Sequence, residues 1–262
     1  MKAFKMKPLS TNERCPLFEI IEIETINRCT RKCPFCKWSY TKRSDEKKMV
    51  MPMKTIDKII SNLKKMNFKG RISWFSTNDP FLDKRMVEII RRTRLNLPHA
   101  WISLATNGEL LTNKKYRTIR KAGLDALEYN IYDEKGKIRS ETIINDGAIV
   151  FQDKRPDIAN FDNFENMAGK VDYGPKDNYN NSCNRPFQMM IVKPDGNVIL
   201  CCSDMHGEVV MDNINRNSLE QIWNSEMYQI YRRELKGGNR KNLKLCSKCN
   251  YCGGKHSVKY PF

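Results

Sequence analysis

Apolar and polar residues alternate along FEIIEIET (residues 18–25), the two-residue period of a strand with one buried face. After Pro52 the period changes: Ile56, Ile59, Ile60, Leu63 and Met66 recur at helical spacing, and Gly70 offers a stop. The exchange then repeats. RISWFS (71–76), AWISLAT (100–106) and ALEYNIY (126–132) read as strands, and LDKRMVEIIRRTRL (82–95) and TNKKYRTIRKAG (112–123) as helices. Strands alternating with helices predict a parallel sheet with helices outside it.

Beyond residue 135 the pattern weakens. ETIINDGAIVF (141–151) can supply one or two short strands, and residues 152–182, rich in Asn and Asp, read as a loop or linker. FQMMIVKPDGNVILCC (187–202) then places two β-rich runs around Pro194, Asp195, Gly196 and Asn197, a hairpin signal. SLEQIWNSEMYQIYRREL (218–235) reads as one helix. Ser218 and Gln221 are spaced as a capping box, and Leu219, Ile222, Trp223, Met227, Ile230 and Tyr231 form its apolar face. The expected organisation is an N-terminal extension (1–17), an α/β core (18–151), the linker (152–182) and a small hairpin-plus-helix domain (183–262).

In parallel sheets, ligands collect at the carboxyl ends of the strands, where connecting loops expose backbone groups. Cys29, Cys33 and Cys36 follow the first strand there, Thr77, Asn78 and Asp79 the second, Thr106, Asn107 and Gly108 the third, and Asn130 lies in the last of these strands. One rim therefore carries three cysteines and several hydrogen-bonding side chains.

Composition narrows the setting. The chain has 262 residues, of which 40% are hydrophobic, and no apolar run approaches the roughly 20 residues that span a bilayer. The N-terminus, MKAFKMKPLS, lacks the apolar core of a secretion signal, so a soluble cytoplasmic protein with reduced thiols is expected. The formal charge of +17 suits a polyanion or an acidic small substrate, yet the lysines are spread along the chain and read mostly as solvated helix faces.

Ten cysteines carry the chemistry. Three thiolates in NRCTRKCPFC (27–36) leave one corner of a metal or cluster without a protein ligand, and a site left open serves a substrate or cofactor. A zinc knuckle that borrows His99 or His206 is the plainer alternative.

Cys29, Cys33, Phe35 and Cys36, with three residues in the first gap and an aromatic before the last cysteine, resemble the signature loop of the radical S-adenosylmethionine (SAM) superfamily. The resemblance implies a partial (β/α)6 TIM-like barrel. It also implies a [4Fe-4S] cluster held by three Cys, whose fourth iron binds SAM, and reductive cleavage of SAM to a 5'-deoxyadenosyl radical that abstracts a substrate hydrogen. TNDPFLD (77–83) is similar to the family segment whose polar residues contact the SAM amino group, with Asp79 in place of the usual Glu. LATNGELLT (104–112) resembles its third-strand segment, and Phe35 would lie near the adenine. Thr77, Asn78, Asp79, Thr106, Asn107 and Asn130 are thereby expected to bind the cofactor.

A second resemblance lies at the C-terminus. Cys183, Gly196 and Cys201, followed by Cys246 and Cys249, resemble the SPASM or shortened twitch extension. This implies one auxiliary [4Fe-4S] cluster on Cys183, Cys201, Cys246 and Cys249, with structural zinc on the same residues as the rival. Cys15, Cys202 and Cys252 are left over and read as packed, although Cys202 or Cys252 could donate a hydrogen atom to a substrate radical. Arg185, Asp204 and His206 flank the same hairpin and could serve substrate binding, but read first as a charged surface loop.

An auxiliary cluster that accepts an electron favours dehydrogenation, or else epimerisation, of a sugar, cyclitol or similar polar small molecule, phosphorylated or nucleotide-linked forms included. The short stretch before the first strand disfavours the family's peptide-modifying enzymes, the alternative function, with a peptide substrate. A zinc-containing nucleic-acid-binding protein is the alternative from another class, disfavoured because aromatics are not interleaved with a compact basic stripe. The resemblance implies a flavodoxin- or ferredoxin-type electron donor and no membrane partner.

Overall fold

The structure, a computed structural model, describes residues 15–36, 39, 47–155, 165–171 and 180–251. The expected alternation of strand and helix is present: β1 (Ile20–Ile23), α1 (Met53–Lys65), β2 (Arg71–Ser73), α2 (Met86–Asn96), β3 (Trp101–Thr106), α3 (Asn113–Lys121), β4 (Ala126–Ile131), α4 (Glu134–Glu141) and β5 (Ile149–Asp153). Neighbours β1 to β5 pair in parallel in chain order. Paired residues in a parallel ladder share a face. Ile21, Ile72 and Ile102 therefore point one way and Glu22, Ser73 and Ser103 the other.

The apolar face meets the helices. Ile56, Ile59, Ile60 and Leu63 of α1 are all at most 3% exposed and join the core that holds Ile21, Ile72 and Ile102. Each such side chain contributes roughly 1.5–3 kcal/mol by leaving water. Helix α1 ends at Lys65, ahead of Gly70, because Asn67 turns the chain with a φ of 49°.

Helix α4 was not legible in the sequence. Its apolar spacing is weak; Asp133 starts it by accepting from Gly136 N at 2.7 Å, so a cap rather than a stripe defines it. Only β5 of the one or two strands expected at 141–151 forms, and it extends to Asp153.

The hairpin strands are β6 (Met189–Val192), preceded by the short α5 (Arg185–Gln188), and β7 (Asn197–Ile199), with β8 (Val210–Asn213) beside β7. Gly196 N donates to Lys193 O (2.9 Å) and Lys193 N to Asn197 O (2.8 Å), closing the turn with Gly196 at φ 86°. The hairpin of the C-terminal region also joins the main sheet. Strand β6 pairs in parallel with β1, so the sheet runs β5-β4-β3-β2-β1-β6-β7-β8. The open α/β fold with six parallel strands matches the partial barrel expected, but the sixth strand comes from the hairpin and adds beside β1. Alternation explains the join: Met190 and Val192 continue the apolar face, and Met189 and Ile191 continue the inner one.

The helix expected over 218–235 is two, α6 (Leu219–Trp223) and α7 (Glu226–Lys236). The Ser218–Gln221 capping box forms, but Ser225 caps α7 afresh through Tyr228 N, which resets the helical phase. Met227 is consequently 40% exposed, and Tyr228, Tyr231, Arg232 and Leu235 are the buried residues of α7. Of the 152–182 linker, residues 165–171 pack against the C-terminal region: Asn166 Nδ2 donates to Lys248 O (2.8 Å) and Asn166 N to Asn250 Oδ1 (2.8 Å).

Trp223 ties these parts together. It is 1% exposed, donates from Nε1 to Pro16 O (2.9 Å), and packs its ring against Phe18, Tyr228 and the Arg232 guanidinium. Trp223→Ala should cost about 3–5 kcal/mol of stability, read as a lower denaturant midpoint at unchanged slope.

Candidate functional site

Strand β1 delivers the chain to the cysteine loop at its carboxyl end. Asn27 anchors the loop, donating from Nδ2 to Lys47 O (2.9 Å) and accepting from Met49 N (2.7 Å). Cys36 N donates to Cys33 O (2.9 Å), and Asn107 Nδ2 reaches Thr30 Oγ1 (2.9 Å) and Cys29 Sγ (3.6 Å). All three thiols are partly exposed. Burial pushes the Cys33 thiol up, and Arg31 beside it opposes that shift.

Two neighbours of this loop were missed in the sequence. Phe35 packs on Tyr132 with ring centroids 5.5 Å apart, and the Arg31 guanidinium lies 5.6 Å from the same ring. Arg31 also pairs with Glu109 (3.0 Å) and Asp133 (2.8 Å), so it pins the cysteine loop to the loops after β3 and β4. Nothing in the local pattern around Arg31 distinguishes it from other surface arginines.

The rim residues divide into two kinds. Asp79 is 1% exposed and accepts from Phe81 N (3.0 Å), Thr106 Oγ1 (2.8 Å) and Asn107 N (3.3 Å), while Asp79 N donates to Arg28 O (3.0 Å). With carboxylate and backbone together, Asp79 ties three rim segments; burial raises its pKa and the donors to the carboxylate pull it down. Gly108 permits the close fit below: its φ is +77°, and a Cβ there would lie 2.0 Å from the Tyr129 ring. Thr77 is internal as well, donating to Glu24 Oε1 (2.8 Å). Asn78 and Asn130 are different. Asn78 Nδ2 is buried without a partner, and the Asn130 amide, 8% exposed, makes no hydrogen bond among the described residues.

Glu24, fully buried at the end of β1, forms an ion pair with Lys193 at the end of β6. Thr77 and Lys193 (3.5 Å) close the triad. Deeper on the same inner face, Ser73 and Ser103 share a hydrogen bond of 2.9 Å and Glu22 lies 4.0 Å from Arg71. Burial raises the Glu22 pKa; Arg71 and Arg185 pull it down, and Glu128 pushes it up. The register adds Glu128, Asn130 and Gln152 to this face. The sequence carried the signal: Glu22 and Glu24 are polar at alternate positions of an otherwise apolar strand.

Cys183, Cys201, Cys246 and Cys249 line one cavity beneath Tyr251. Cys183 N donates to Leu235 O (3.0 Å), and Tyr251 N donates to Cys249 Sγ (3.4 Å). Burial pushes the Cys183 and Cys201 thiols up and Cys246 to about 12, and each of these three is raised further by neighbouring cysteines of the group. Such thiols stay protonated unless a cation takes them, which is the donor chemistry an iron-sulfur cluster requires. Among the described residues, no three Cys, His, Asp or Glu side chains form a group able to hold a single metal ion; the four sulfurs instead surround the cavity.

Cys202 turns the other way from Cys201 and packs with Ile20, Met189, Ile191 and Ile199 on the inner face. Cys15 packs against the main core, and Cys252 lies outside the described residues. Arg185 and Asp204 are not surface groups. Arg185 is 2% exposed, pairs with Glu165 (2.6 Å) and stacks 3.6 Å from the centre of Tyr251; Asp204 is 1% exposed and accepts from Glu208 N and Val209 N. His206 is exposed, as expected.

Comparison with known proteins agrees with this geometry. The radical SAM superfamily profile matches residues 23–133, and an iron-sulfur cluster-binding domain, SPASM, matches residues 183–252. That second match sets aside the zinc and nucleic-acid alternatives. The S-adenosyl-L-methionine-dependent 2-deoxy-scyllo-inosamine dehydrogenase of Niallia circulans is 30% identical over 241 residues, covering 89% of this chain and 93% of that protein. Among solved structures, BtrN in complex with AdoMet and 2-DOIA superposes with a TM-score of 0.82 at 27% identity, over 94% of this chain and 98% of that one. BtrN in an open conformation gives 0.71 at 26% identity, over 90% and 93%. Histidine-tagged anSMEcpe with bound AdoMet, at 12% identity over 88% of each chain and a TM-score of 0.54, shares the fold. No helix among the described residues is long and apolar enough to cross a membrane.

The paired cysteine groups give a stoichiometric test. Anaerobically reconstituted protein should carry roughly eight irons per chain. Cys246→Ala should retain about half of them, with the remainder lost when Cys33→Ala is added, as read by iron and sulfide quantitation.

Proposed function

The chain belongs to the radical SAM superfamily, and from that premise we propose that it dehydrogenates an alcohol carbon of a cyclitol or similar small polyol, using one auxiliary [4Fe-4S] cluster. The observation that carries this reading is the inner face of the sheet, where Glu22, Ser73, Ser103 and Glu128 offer hydrogen-bonding groups between the two cysteine groups. Such a face suits hydroxyl or ammonium groups. The similar protein from Niallia circulans is named for an inosamine, which supports an aminocyclitol as the substrate class.

Cys29, Cys33 and Cys36 would hold the first cluster, and Cys183, Cys201, Cys246 and Cys249 the auxiliary one. When bound, SAM and the clusters supply hydrogen-atom abstraction and take up the electron left on the substrate. The chain's own residues do the rest. Asn78, with its unpartnered buried amide, would donate to the cofactor's carboxylate, and Asn130 and Phe35 would flank its nucleoside. Asp79, Thr106 and Asn107 keep the rim in shape, and Thr77 holds the Glu24–Lys193 pair. Glu22, whose pKa burial has raised, would accept the hydroxyl proton. A flavodoxin- or ferredoxin-type protein would supply the electron for SAM cleavage.

Anaerobic turnover with SAM, dithionite and 2-deoxy-scyllo-inosamine should give 5'-deoxyadenosine and a ketone in equal amounts; product of unchanged oxidation state would point to epimerisation instead. The base assignment has a pH signature. Glu22 works as a carboxylate, so activity should rise with pH through its raised pKa. Glu22→Gln should lose this limb and about 10²–10⁴ in rate; an unaltered pH profile would remove Glu22 from that role.

A further inference from the structure

Residues 47–50 form the layer beside the cysteine loop. Asn27 is hydrogen-bonded to Lys47 and Met49, and Ile26 bridges Val50. Asn27 precedes Cys29 by two residues, a span of no more than about 7 Å. This strip borders an open groove of about 750 Å³ whose walls include Lys48, Val50, Lys54, Lys58 and Asp195. A smaller cavity lined by Asn27, Lys47 and Lys193 adjoins it, the two sharing Met49 and Asp195.

Among the described residues, charge in this groove is one-sided. Lys47, Lys48 and Lys54 are exposed, and Lys58 donates to Asn215 O (3.0 Å). None of the four is in an ion pair with an acidic side chain among the described residues. Asp195, the one acidic residue of the lining among the described residues, already accepts from Asn197 N and Nδ2. Helix α1 begins here with no acidic residue in its first turn, so the positive end of its dipole adds to the lysines. Val50, in the same lining, is 44% exposed. An exposed apolar side chain among lysines suits a protein interface that selects its partner by charge.

We propose that this groove is the docking surface for an acidic one-electron carrier protein. The inference rests on the reading above that Cys29, Cys33 and Cys36 hold a cluster that must be reduced from outside. One electron passes from the carrier to that cluster; no bond breaks and no proton moves. Charge complementarity selects the partner, because a chain of net charge +17 attracts an acidic carrier and the unpaired lysines orient it beside the loop. The exposed valine favours a protein face over a free phosphate group.

The test uses reconstituted holoenzyme and a fully characterised flavodoxin as probe. Binding of oxidised flavodoxin should weaken at least tenfold in Lys48→Glu/Lys54→Glu and lose most of its salt dependence. Lys48→Arg/Lys54→Arg should bind as the wild type does, and carbodiimide should cross-link flavodoxin carboxylates to Lys48 or Lys54. Deoxyadenosine formation driven by dithionite should be the same in all three proteins, whereas formation driven by reduced flavodoxin should fall in the glutamate variant alone. Equal flavodoxin affinity in the glutamate variant overturns the proposal. So does inorganic pyrophosphate occupying the lysines of a wild type that binds no flavodoxin. Absence of SAM cleavage in the wild type with dithionite would instead sink the underlying assignment of the cluster, which keeps the two failures distinct.

Discussion

The parallel pairing of β1 with β6 is the constraint on which the rest depends. Its register, Ile20 to Met189 through Ile23 to Val192, fixes where two distant parts of the chain meet. The loop with Cys29, Cys33 and Cys36 leaves the carboxyl end of β1. Cys183 and Cys201 lie at the opposite end, before β6 and after β7. Four residues of strand, about 13 Å at 3.3 Å per residue, therefore set the scale of the separation between the two cysteine groups. A one-residue slip would exchange the faces of β6, placing Met189 and Ile191 against the helices and Met190 and Val192 on the inner side.

Alternation along the strands then divides the labour. The outer face buries Ile21, Ile72, Ile102 and Leu127 under the helices, and the inner face keeps Glu22, Ser73, Ser103 and Glu128 for chemistry. Polar groups on that face are costly to hide, and the structure meets the cost with specific partners. Glu24, Thr77 and Lys193 satisfy one another at the top, and the Arg71 guanidinium lies 4.0 Å from Glu22 lower down. A buried pair of this kind adds little net stability. It fixes geometry, because removing one member leaves an uncompensated charge.

Much of this was legible in the sequence, and for stated reasons. Strands β1 to β4 and helices α1 to α3 announce themselves by period, and both cysteine groups by spacing. The failures have two causes, local caps that override the apolar stripe and tertiary contacts that no local pattern encodes. Helix α4 is defined by the Asp133 cap, and Met227 is exposed because Ser225 restarts the helix. Arg185 and Asp204 look like surface charges until Glu165, Tyr251 and the backbone of 208–209 close over them. Asp79, expected at the cofactor, also accepts from Phe81, Thr106 and Asn107 of the rim. The inner carboxylate Glu22 was within reach, since a charged residue inside an apolar strand needs an explanation.

The central claim is that a hydrogen atom is taken from a carbinol carbon held on the inner face of this sheet. Turnover of 2-deoxy-scyllo-inosamine deuterated at its carbinol carbons tests it most directly. The account predicts one deuterium in the 5'-deoxyadenosine and a ketone product. Deoxyadenosine formed without deuterium, alongside unchanged cyclitol, would contradict it.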